Sequence, residues 1–563
     1  MENTKTKTET NIDEGKTPKP VLSKFYHWEK TTPNNTYLRQ PYGDTWKTYT
    51  WEECGLQARK MARALQDMGL NGGEHIGIIS KNCAHWILAD LAIMISKNVS
   101  VPFYPNLIAS QLEHVLEHSG TKVLFVGKVE NWEEMKEGIP GDVKCIALPD
   151  SPATEFETWD QVIEGMEPVQ GEPLPDINAV NTIIYTSGTT GRPKGVVHTH
   201  YRHAKSMESV QKLIPLEKVG RKYFSFLPLC HVAERGIVET CSFYSGGSIS
   251  FVENIDTFVK NLQDTQPSLF FAVPRIWTKF QLGVLEKMPQ KKLNTLLKIP
   301  FISSLVKKKI LKGLGLSETI MVFTAAAPTP KSLHNWFDKL GLKLQELYGM
   351  TENAGACTLM LKEQHKPGTV GRAYPGVEIK IDESSGEILM KSEWVMKEYY
   401  REPGMTADVI RDGYLHTGDM GKIDEEGNLQ ITGRVKDMFK TAKGEYVVPG
   451  PMEWKFAADS FIEQVCVMGS GLPQPIALVV LSDIAKNASR EAIEHSLASI
   501  LALINAEAVN YERIKKLVIV KDEWSIENGI LTPTLKIKRN LIDEKYLEEA
   551  EKWYEMKDTI IWA

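Results

Sequence analysis

The chain has 563 residues, too many for one domain of ordinary size, so two or more domains are expected. Hydrophobic residues make up 42% and charged residues 25%, which is typical of soluble globular proteins and excludes collagen-like, coiled-coil and wholly disordered chains. With 66 Lys and Arg against 72 Asp and Glu, the net charge is −6, which argues against a general nucleic-acid binder.

The first 20 residues contain almost nothing to bury, and we expect them to form a disordered tail. No apolar run reaches the ~18 residues that a membrane span needs, and no secretory signal is found. The seven cysteines are scattered and form no CxxC pair, which argues against a disulfide framework or a structural zinc site. Each is expected to be a small buried side chain in a reducing, cytoplasmic setting.

From about residue 70, short apolar runs alternate with amphipathic stretches. This alternation predicts strands joined by helices, with parallel pairing and right-handed crossovers. The predicted strands are 75–80, 99–104, 122–127, 181–186, 223–229, 248–253, 268–274 and 320–325. The predicted helices between and after them are 83–97, 110–120, 257–265 and 331–340.

After about residue 370 the pattern alternates with a period of two residues around turn sequences. This predicts antiparallel hairpins at 377–392 and 421–434. The remaining segment, with a predicted helix at 489–508, is smaller and more charged. We therefore predict an α/β chain with a large N-terminal domain over residues 21–433 and a small α+β domain over residues 434–563.

The most informative stretch follows the strand 181–186 and reads TSGTTGRPKG. Glycines let a backbone approach an anion closely, and hydroxyls and free N–H groups can wrap phosphate oxygens. A helix is expected after Lys194 and Gly195, and a flexible linker is the plain alternative. No Gly-Lys-Ser/Thr follows at the Walker offset, which disfavours a P-loop phosphotransferase. The candidate phosphate-binding residues are Thr186, Ser187, Gly188, Thr189, Thr190, Gly191 and Lys194.

This loop resembles the phosphate loop of the adenylate-forming superfamily, which includes acyl-CoA synthetases, firefly luciferase and nonribosomal peptide adenylation domains. Four further motifs follow in that family's order. They are TAAAP at 324–328, LYGMTEN at 347–353, GYLHTGD at 413–419 with GRVKD at 433–437, and LTPTLKIKRN at 531–540. The resemblance implies mixed sheets with a β-barrel-like portion in the large domain, and a mobile small domain.

The resemblance also implies a reaction with ATP, Mg²⁺ and CoA, in which a carboxylate becomes an acyl-adenylate and then a thioester. Tyr348 would flank the adenine, Gly349 would also bind the nucleotide, Thr351 would contact the α-phosphate, and Glu352 would hold Mg²⁺ with Thr186. Hard oxygen ligands of this kind suit magnesium. An ordinary helix N-cap at Thr351 is the plain alternative. The small residues that leave a slot for the adenine are Ala326, Ala327 and Pro328.

By the same resemblance, Asp419 accepts hydrogen bonds from the ribose hydroxyls and Arg434 also reaches the ribose. An ionised carboxylate can accept both hydroxyls of a diol, and a salt bridge between the two residues is the plain alternative. Lys436 matches the hinge on which the small domain pivots. Lys440 would face the active site only after that movement.

The catalytic lysine of the family corresponds to Lys536, which would bridge the two anions that meet in the first step. This chain departs from many members of the family, because Leu535 stands where they have glycine. Lys538 and Arg539 are expected to be exposed charges on a turn.

The segments 226–236 and 266–277 resemble those of long-chain fatty acyl-CoA synthetases. His231 is expected beside the carboxylate pocket, and the small residues 354–356 leave room for an acyl chain. The sequence therefore predicts a long-chain fatty acid–CoA ligase. The alternatives are an acceptor other than CoA, a shorter or aryl acid, and a catalytically silent lipid- or nucleotide-binding protein.

Residues 287–312 contain eight lysines and no acidic residue, with apolar residues between the lysines. Basic amphipathic segments attach to anionic lipid surfaces, and a solvated helical face without a partner is an equal alternative. Besides this contact with an anionic membrane, the expected partner is a fatty acid substrate. The oligomeric state stays open, and the expected location is cytoplasmic or membrane-peripheral.

Overall fold

The computed structural model describes residues 17–186, 193–216, 220–532 and 534–563, without the side chain of Asn487. The tail predicted over residues 1–20 lies outside the described residues apart from its last four. Within the described ranges the chain forms a large N-terminal part and a small C-terminal part, both of mixed α and β structure. The predicted α/β class is confirmed.

The largest sheet has seven strands, of which five neighbours are mutually parallel. Lys194–Thr199 pairs antiparallel with the last of these, Val180–Thr186, and the edge strand Glu398–Tyr399 pairs antiparallel with Lys194–Thr199. Ile78 and Ile79 point to different hydrophobic cores, so both faces of this sheet are buried, as runs of Val, Ile and Phe predict. The strands in spatial order are Glu398–Tyr399, Lys194–Thr199, Val180–Thr186, Val99–Phe103, His75–Ile79, Val123–Val126 and Lys144–Ala147.

Two further mixed sheets complete the βα portion of the large part. The four-stranded sheet contains Thr45–Thr50, Thr36–Tyr42, Ser248–Phe251 and Lys222–Ser225 in that spatial order. The five-stranded sheet contains Leu269–Ala272, Met321–Thr324, Leu344–Tyr348, Thr358–Leu359 and Arg372–Ala373. In the second of these sheets three parallel strands precede an antiparallel pair.

The two predicted hairpins lie in an antiparallel sheet, where Glu378–Ile381 pairs with Glu387–Lys391 and Tyr414–Ile423 pairs with Leu429–Arg434. The short strand Ile410–Arg411 lies beside the first residues of Tyr414–Ile423. Among the described residues this sheet stays open and no closed barrel forms, so the barrel-like portion is an open, five-stranded sheet.

Helices cover these sheets and connect their strands. The helix Ala84–Ile95 is buried along its whole length, so it belongs to the core rather than to a membrane. No helix in the described ranges is long and apolar enough to cross a membrane. The other α-helices of the large part are Leu22–Thr31, Trp51–Asp67, Ala109–Ser119, Trp132–Met135, Trp159–Ile163, His200–Leu213, Val232–Glu234, Cys241–Ser245, Phe258–Thr265, Pro274–Lys287, Gln290–Leu297, Ile302–Gly313, Lys331–Leu340 and Pro403–Val409.

The small part has its own cores on the two faces of one four-stranded sheet. That sheet contains Ile462–Met468, Ile476–Leu481, Lys516–Ile519 and Ile560–Trp562, with the last three parallel. A two-stranded ribbon, Phe439–Lys440 with Tyr446–Val447, precedes it. The helices of the small part are Gly450–Phe456, Arg490–Glu507 and Arg539–Glu555.

Most predicted elements lie within one to three residues of their observed bounds, but two differ in kind or length. The segment after the phosphate loop is a strand, Lys194–Thr199, and the helix begins only at His200. The strand predicted at 223–229 ends at Ser225, because the Phe226 amide donates to the Glu234 carboxylate instead of to the sheet. All seven cysteines are buried and unpaired, as expected.

Candidate active site

The predicted motifs converge where several strands of the large part end. Thr186 ends one strand and lies opposite Lys194 in the register of the seven-stranded sheet. The Lys194 ammonium lies 5.2 Å from the centre of the Tyr399 ring. The predicted phosphate-binding residues between them, which lie outside the described residues, are Ser187, Gly188, Thr189, Thr190 and Gly191.

Glu352 is buried at the end of a different sheet, in a short 3₁₀ turn that begins at Thr351. The Tyr399 hydroxyl donates to Glu352 Oε1 at 2.6 Å, and the His198 Nε2–H donates to the Thr351 carbonyl at 2.7 Å. Met350, not Thr351, occupies the N-cap position of this turn. The side chain of Thr351 is therefore not used as a helix cap.

Asp419 lies opposite Arg434 in the antiparallel sheet and forms two hydrogen bonds. Arg434 Nε donates to Asp419 Oδ1 at 2.9 Å, and the Tyr348 hydroxyl donates to Oδ2 at 2.8 Å. The salt bridge considered as the plain alternative is thus present, and each carboxylate oxygen keeps a lone pair for a further donor. The three predicted residues form one connected group.

The loop after Met321–Thr324 is fixed from both ends. Ala326 has a φ of +71°, and the Thr329 amide donates to the Glu346 carboxylate at 3.0 Å. A Cβ placed on Gly349 would lie 2.3 Å from the carbonyl oxygen of Gly355, so only glycine fits there. Close packing therefore requires a residue without a side chain at Gly349, next to the other small residues of this edge.

Lys536 reaches the same place from the small part. Its loop is a tight turn, in which the Lys536 amide donates to Thr532 Oγ1 at 3.0 Å. The side chain is exposed to the cavity yet surrounded by protein atoms. Burial lowers the pKa of Lys536, and the Arg434 guanidinium lowers it further, while the Asp419 and Glu352 carboxylates oppose this shift.

His231 faces the cavity as a neutral imidazole. Burial lowers its pKa to about 4, and the Lys536 ammonium contributes to that shift. Its Nδ1 accepts a hydrogen bond of 3.2 Å from the Ala233 amide, so in the neutral ring Nε2 carries the proton. His231 can therefore donate a hydrogen bond at neutral pH without carrying charge.

A cavity of about 360 Å³ extends from Lys536 and His231 into the large part. This volume is within the usual range for small-molecule sites. Its wall is predominantly apolar, and three of the predicted small residues contribute to it: Ala354, Gly355 and Ala356. The larger apolar residues of the wall include Met207, Val210, Ile214, Ile237, Phe271 and Phe323.

Sequence reasoning missed a buried ionic group that contributes Arg235 to this wall. Arg235 Nη2 donates to both oxygens of Asp90 at 2.6 and 2.7 Å, and its Nε donates to Glu239 at 3.3 Å. Asp90 interrupts an otherwise apolar helix, which was the one available signal. Tyr399, which contacts Glu352 and Lys194, gave no signal because it lies outside all of the motifs.

Some predicted residues lie apart from this cluster. Lys436 and Lys440 are exposed in the small part and do not line the cavity. Ala327 is exposed and Pro328 half-buried beside the loop of Ala326. Arg539 is not an exposed turn charge, because it is largely buried and donates to the Glu453 carboxylate and to the Val467 carbonyl.

Comparison with known proteins shows the family of the chain. The chain belongs to the AMP-binding enzymes, whose family model matches residues 25–400. The model of the AMP-binding enzyme C-terminal domain matches residues 436–558. The family membership inferred from the motifs is thereby confirmed.

Individual relatives cover nearly the whole chain at low identity. The chain is 27% identical to the long-chain-fatty-acid–CoA ligase FadD15 of Mycobacterium bovis, with 95% of this chain and 97% of that protein covered. It is 28% identical to the long-chain-fatty-acid–CoA ligase ACSBG2 of Rattus norvegicus, over 92% and 90%. Its fold is similar to that of the anthranilate CoA ligase AuaEII in complex with anthranoyl-AMP, with a TM-score of 0.76, 19% identity and coverage of 95% and 99%.

Leu535, next to Lys536, has a φ of +60° and is 58% exposed. This left-handed conformation costs an ordinary residue roughly 1–2 kcal/mol, whereas glycine adopts it freely at an entropic cost of about 0.5–1 kcal/mol. We expect Leu535→Gly to leave the free energy of unfolding unchanged or to raise it by up to about 1 kcal/mol, measured by urea denaturation.

Leu503→Gly is the matched control, because Leu503 is also exposed but lies within the helix Arg490–Glu507. It should lose about 1 kcal/mol of helix propensity. Equal losses in the two variants would show that Leu535 is not strained.

Proposed function

We propose that this chain is an AMP-forming long-chain fatty acid–CoA ligase that uses ATP and Mg²⁺. The observation that carries this proposal is the apolar cavity that meets Lys536 and His231 at one end. A fatty acid combines one carboxylate with a long apolar chain, and the lining of this cavity contains a cation, a neutral donor and a largely apolar wall. The names of the relatives support the same substrate class.

In the proposed first step, a carboxylate oxygen attacks the α-phosphorus of ATP and pyrophosphate leaves. Two anions about 4 Å apart repel each other by about 4 kcal/mol at an effective dielectric constant of 20. Lys536 lines the cavity and is close enough to Asp419 for that carboxylate to affect its pKa, and its ammonium would contact both anions and offset this repulsion. His231 Nε2–H would donate to the carboxylate.

The remaining residues of the cluster are proposed to hold the nucleotide. Asp419, fixed by Tyr348 and Arg434, would accept the two ribose hydroxyls. The adenine would lie in the slot of small residues beside Gly349. The phosphate loop between Thr186 and Lys194 would hold the β- and γ-phosphates.

Mg²⁺ is proposed to bind at Glu352, with Thr186 as a second oxygen ligand. Glu352 fits this role, since magnesium sites combine one or two carboxylates with substrate phosphates and water, and Tyr399 fixes one of its oxygens. A bound Mg²⁺ supplies positive charge to the pyrophosphate leaving group.

The second step is proposed to need a movement of the small part about Lys436, after which CoA thiol attacks the adenylate. The position of Lys536 supports this, because the lysine belongs to the small part and lines the cavity, so a movement of the small part would withdraw it. An ion pair between Arg275 of the large part and Glu463 of the small part would have to separate. Lys440 would then face the site. The domain boundary between residues 433 and 434 is part of this proposal.

We place the proposed enzyme in the cytoplasm. Seven buried cysteines, none of them in a disulfide, are compatible with a reducing compartment.

The proposal predicts the products of a defined mixture. With ATP, Mg²⁺ and a panel of carboxylic acids, mass spectrometry should detect AMP and acyl-CoA from long-chain acids when CoA is present. Lys536→Ala should lower acyl-adenylate formation at least about a hundredfold, since it removes a transition-state cation, yet spare thioester formation from supplied acyl-adenylate.

Other outcomes separate the alternatives. An acyl-adenylate that persists when CoA is added would mean a different acceptor, and activity confined to short or aryl acids would refute the fatty acid assignment. ADP in place of AMP would refute the reaction. Equal loss of both half-reactions in Lys536→Ala would contradict the role of the lysine.

The apolar wall predicts an effect on chain length. Val210 lines the cavity from the helix His200–Leu213. Val210→Trp should lower kcat/KM for a hexadecanoic acid about tenfold, equivalent to about two methylenes excluded at ~0.8 kcal/mol each, and leave octanoic acid within about threefold. Competition between the two acids measures this ratio.

Val259→Trp is the matched control, because Val259 is exposed on the helix Phe258–Thr265 and does not line the cavity. An unchanged ratio in Val210→Trp would show that the acyl chain lies elsewhere.

A further inference from the structure

Two basic helices of the large part meet at a corner that exposes large apolar side chains. The helix Gln290–Leu297 ends there and the helix Ile302–Gly313 begins. We call this surface the apolar corner and define it by four residues with their exposed fractions: Ile299 40%, Phe301 88%, Ile302 40% and Leu305 69%.

The apolar corner is not part of the core that anchors these helices. Leu293 is buried in that core, and Leu297, Val306 and Ile310 pack onto it. The inner faces of both helices are therefore packed against the core. The helix Ile302–Gly313 buries none of its residues completely. Phe301 and Leu305 are 88% and 69% exposed, so burial in this core does not explain their apolar character.

The backbone at the corner holds the most exposed of these side chains in an unfavourable conformation. Phe301 has a φ of +65°, which is a rare conformation for a bulky residue. Strain of this kind persists only when the surrounding structure enforces it, and it concentrates at functional sites.

The surroundings of the corner are strongly basic. Of the eight lysines in residues 287–312, seven are exposed and Lys307 is half-buried. Within the described residues none of the eight forms a salt bridge with a carboxylate. The lysines are Lys287, Lys291, Lys292, Lys298, Lys307, Lys308, Lys309 and Lys312.

The spacing places apolar and basic residues on one face of the second helix. Leu305, Lys308 and Lys312 follow one another at intervals of three and four residues in this helix, which puts them in one row, and Phe301 directly precedes the first residue of the helix. The row is therefore apolar near the start of the helix and basic towards its end. Lys298 adds charge on the other side of the apolar corner.

We propose that the apolar corner inserts into the interface of an anionic membrane, with the surrounding lysines on the lipid headgroups. The apolar side chains add affinity by burying apolar area in the membrane interface, and the lysines add affinity by their attraction to anionic headgroups. Stable peripheral binding needs both contributions. A second copy of this chain is a poor occupant, because its equivalent surface would carry the same positive charge. This inference does not depend on the identity of the acid.

Vesicle sedimentation tests the proposal with the full chain. Wild-type protein should bind vesicles containing about one-third phosphatidylserine, bind neutral phosphatidylcholine vesicles far less, and lose binding as salt is raised. The double variant Phe301→Ser/Leu305→Ser should reduce the bound fraction at least about threefold. Lys308→Glu/Lys309→Glu should reduce it further, because both charges are reversed.

The controls match each change elsewhere on the surface. Ile255→Ser removes a side chain that is 79% exposed, and Lys521→Glu/Lys557→Glu makes the same change in net charge. Both controls should bind like the wild type. Binding that falls equally in the lysine control would mean that only net charge matters, which overturns the proposal.

A fluorescent label tests insertion directly. All seven native cysteines are buried, so Phe301→Cys creates a site that an environment-sensitive thiol reagent can label selectively. The label should shift to shorter wavelength with anionic vesicles, while the same label on Ile255→Cys should not. A label at Phe301→Cys that does not respond to vesicles, or responds only to protein concentration, would refute insertion and would in the second case indicate self-association.

Discussion

A single cation supplied by the small part to the large part is the contact on which this account depends. Lys536 lies near two carboxylates, Asp419 and Glu352, that belong to different sheets, and near the guanidinium of Arg434. Neither part of the chain completes this group alone. The position of the small part therefore decides whether the charge is present where a carboxylate and a phosphate would meet.

The rest of the site leaves the Lys536 ammonium without a carboxylate partner among the described residues. Arg434 and Tyr348 donate hydrogen bonds to the Asp419 carboxylate, and Tyr399 donates one to Glu352. Neither carboxylate forms a direct ion pair with Lys536 in the described structure. His231 is neutral and adds a donor without adding charge. The ammonium is thus left facing a mostly apolar cavity, where an anion would be attracted strongly because little water screens it.

Periodicity predicted the regular elements well because burial on one or both faces dictates it. The helix predicted at 331–340 has those bounds, and the buried helix predicted at 83–97 is observed at Ala84–Ile95. The segment after Lys194 was wrongly expected to be helical, because the antiparallel pairing with Val180–Thr186 is a long-range contact that local pattern does not reveal. The strand predicted at 223–229 ends at Ser225 because the Glu234 carboxylate accepts the Phe226 amide, which is another contact that the local pattern does not reveal.

The difference between local sequence pattern and long-range contact also applies to the site. Motifs led to Lys536, Asp419, Arg434 and Glu352 because each follows a recognisable local signature. Tyr399 and the partners of Arg235 carry no such signature, and only the fold brings them beside the motifs. The conformation of Leu535 was likewise invisible in the sequence, although the departure from glycine pointed to that position.

Transfer of an oxygen atom tests the central claim most directly. Hexadecanoic acid labelled with oxygen-18 in its carboxylate should pass one labelled atom to AMP when ATP, Mg²⁺ and CoA are present, because the carboxylate oxygen that attacks the α-phosphorus stays with the phosphate when the thiol takes the acyl group. Unlabelled AMP, or label appearing in inorganic phosphate together with ADP, would show that the carboxylate and the α-phosphate do not meet at Lys536.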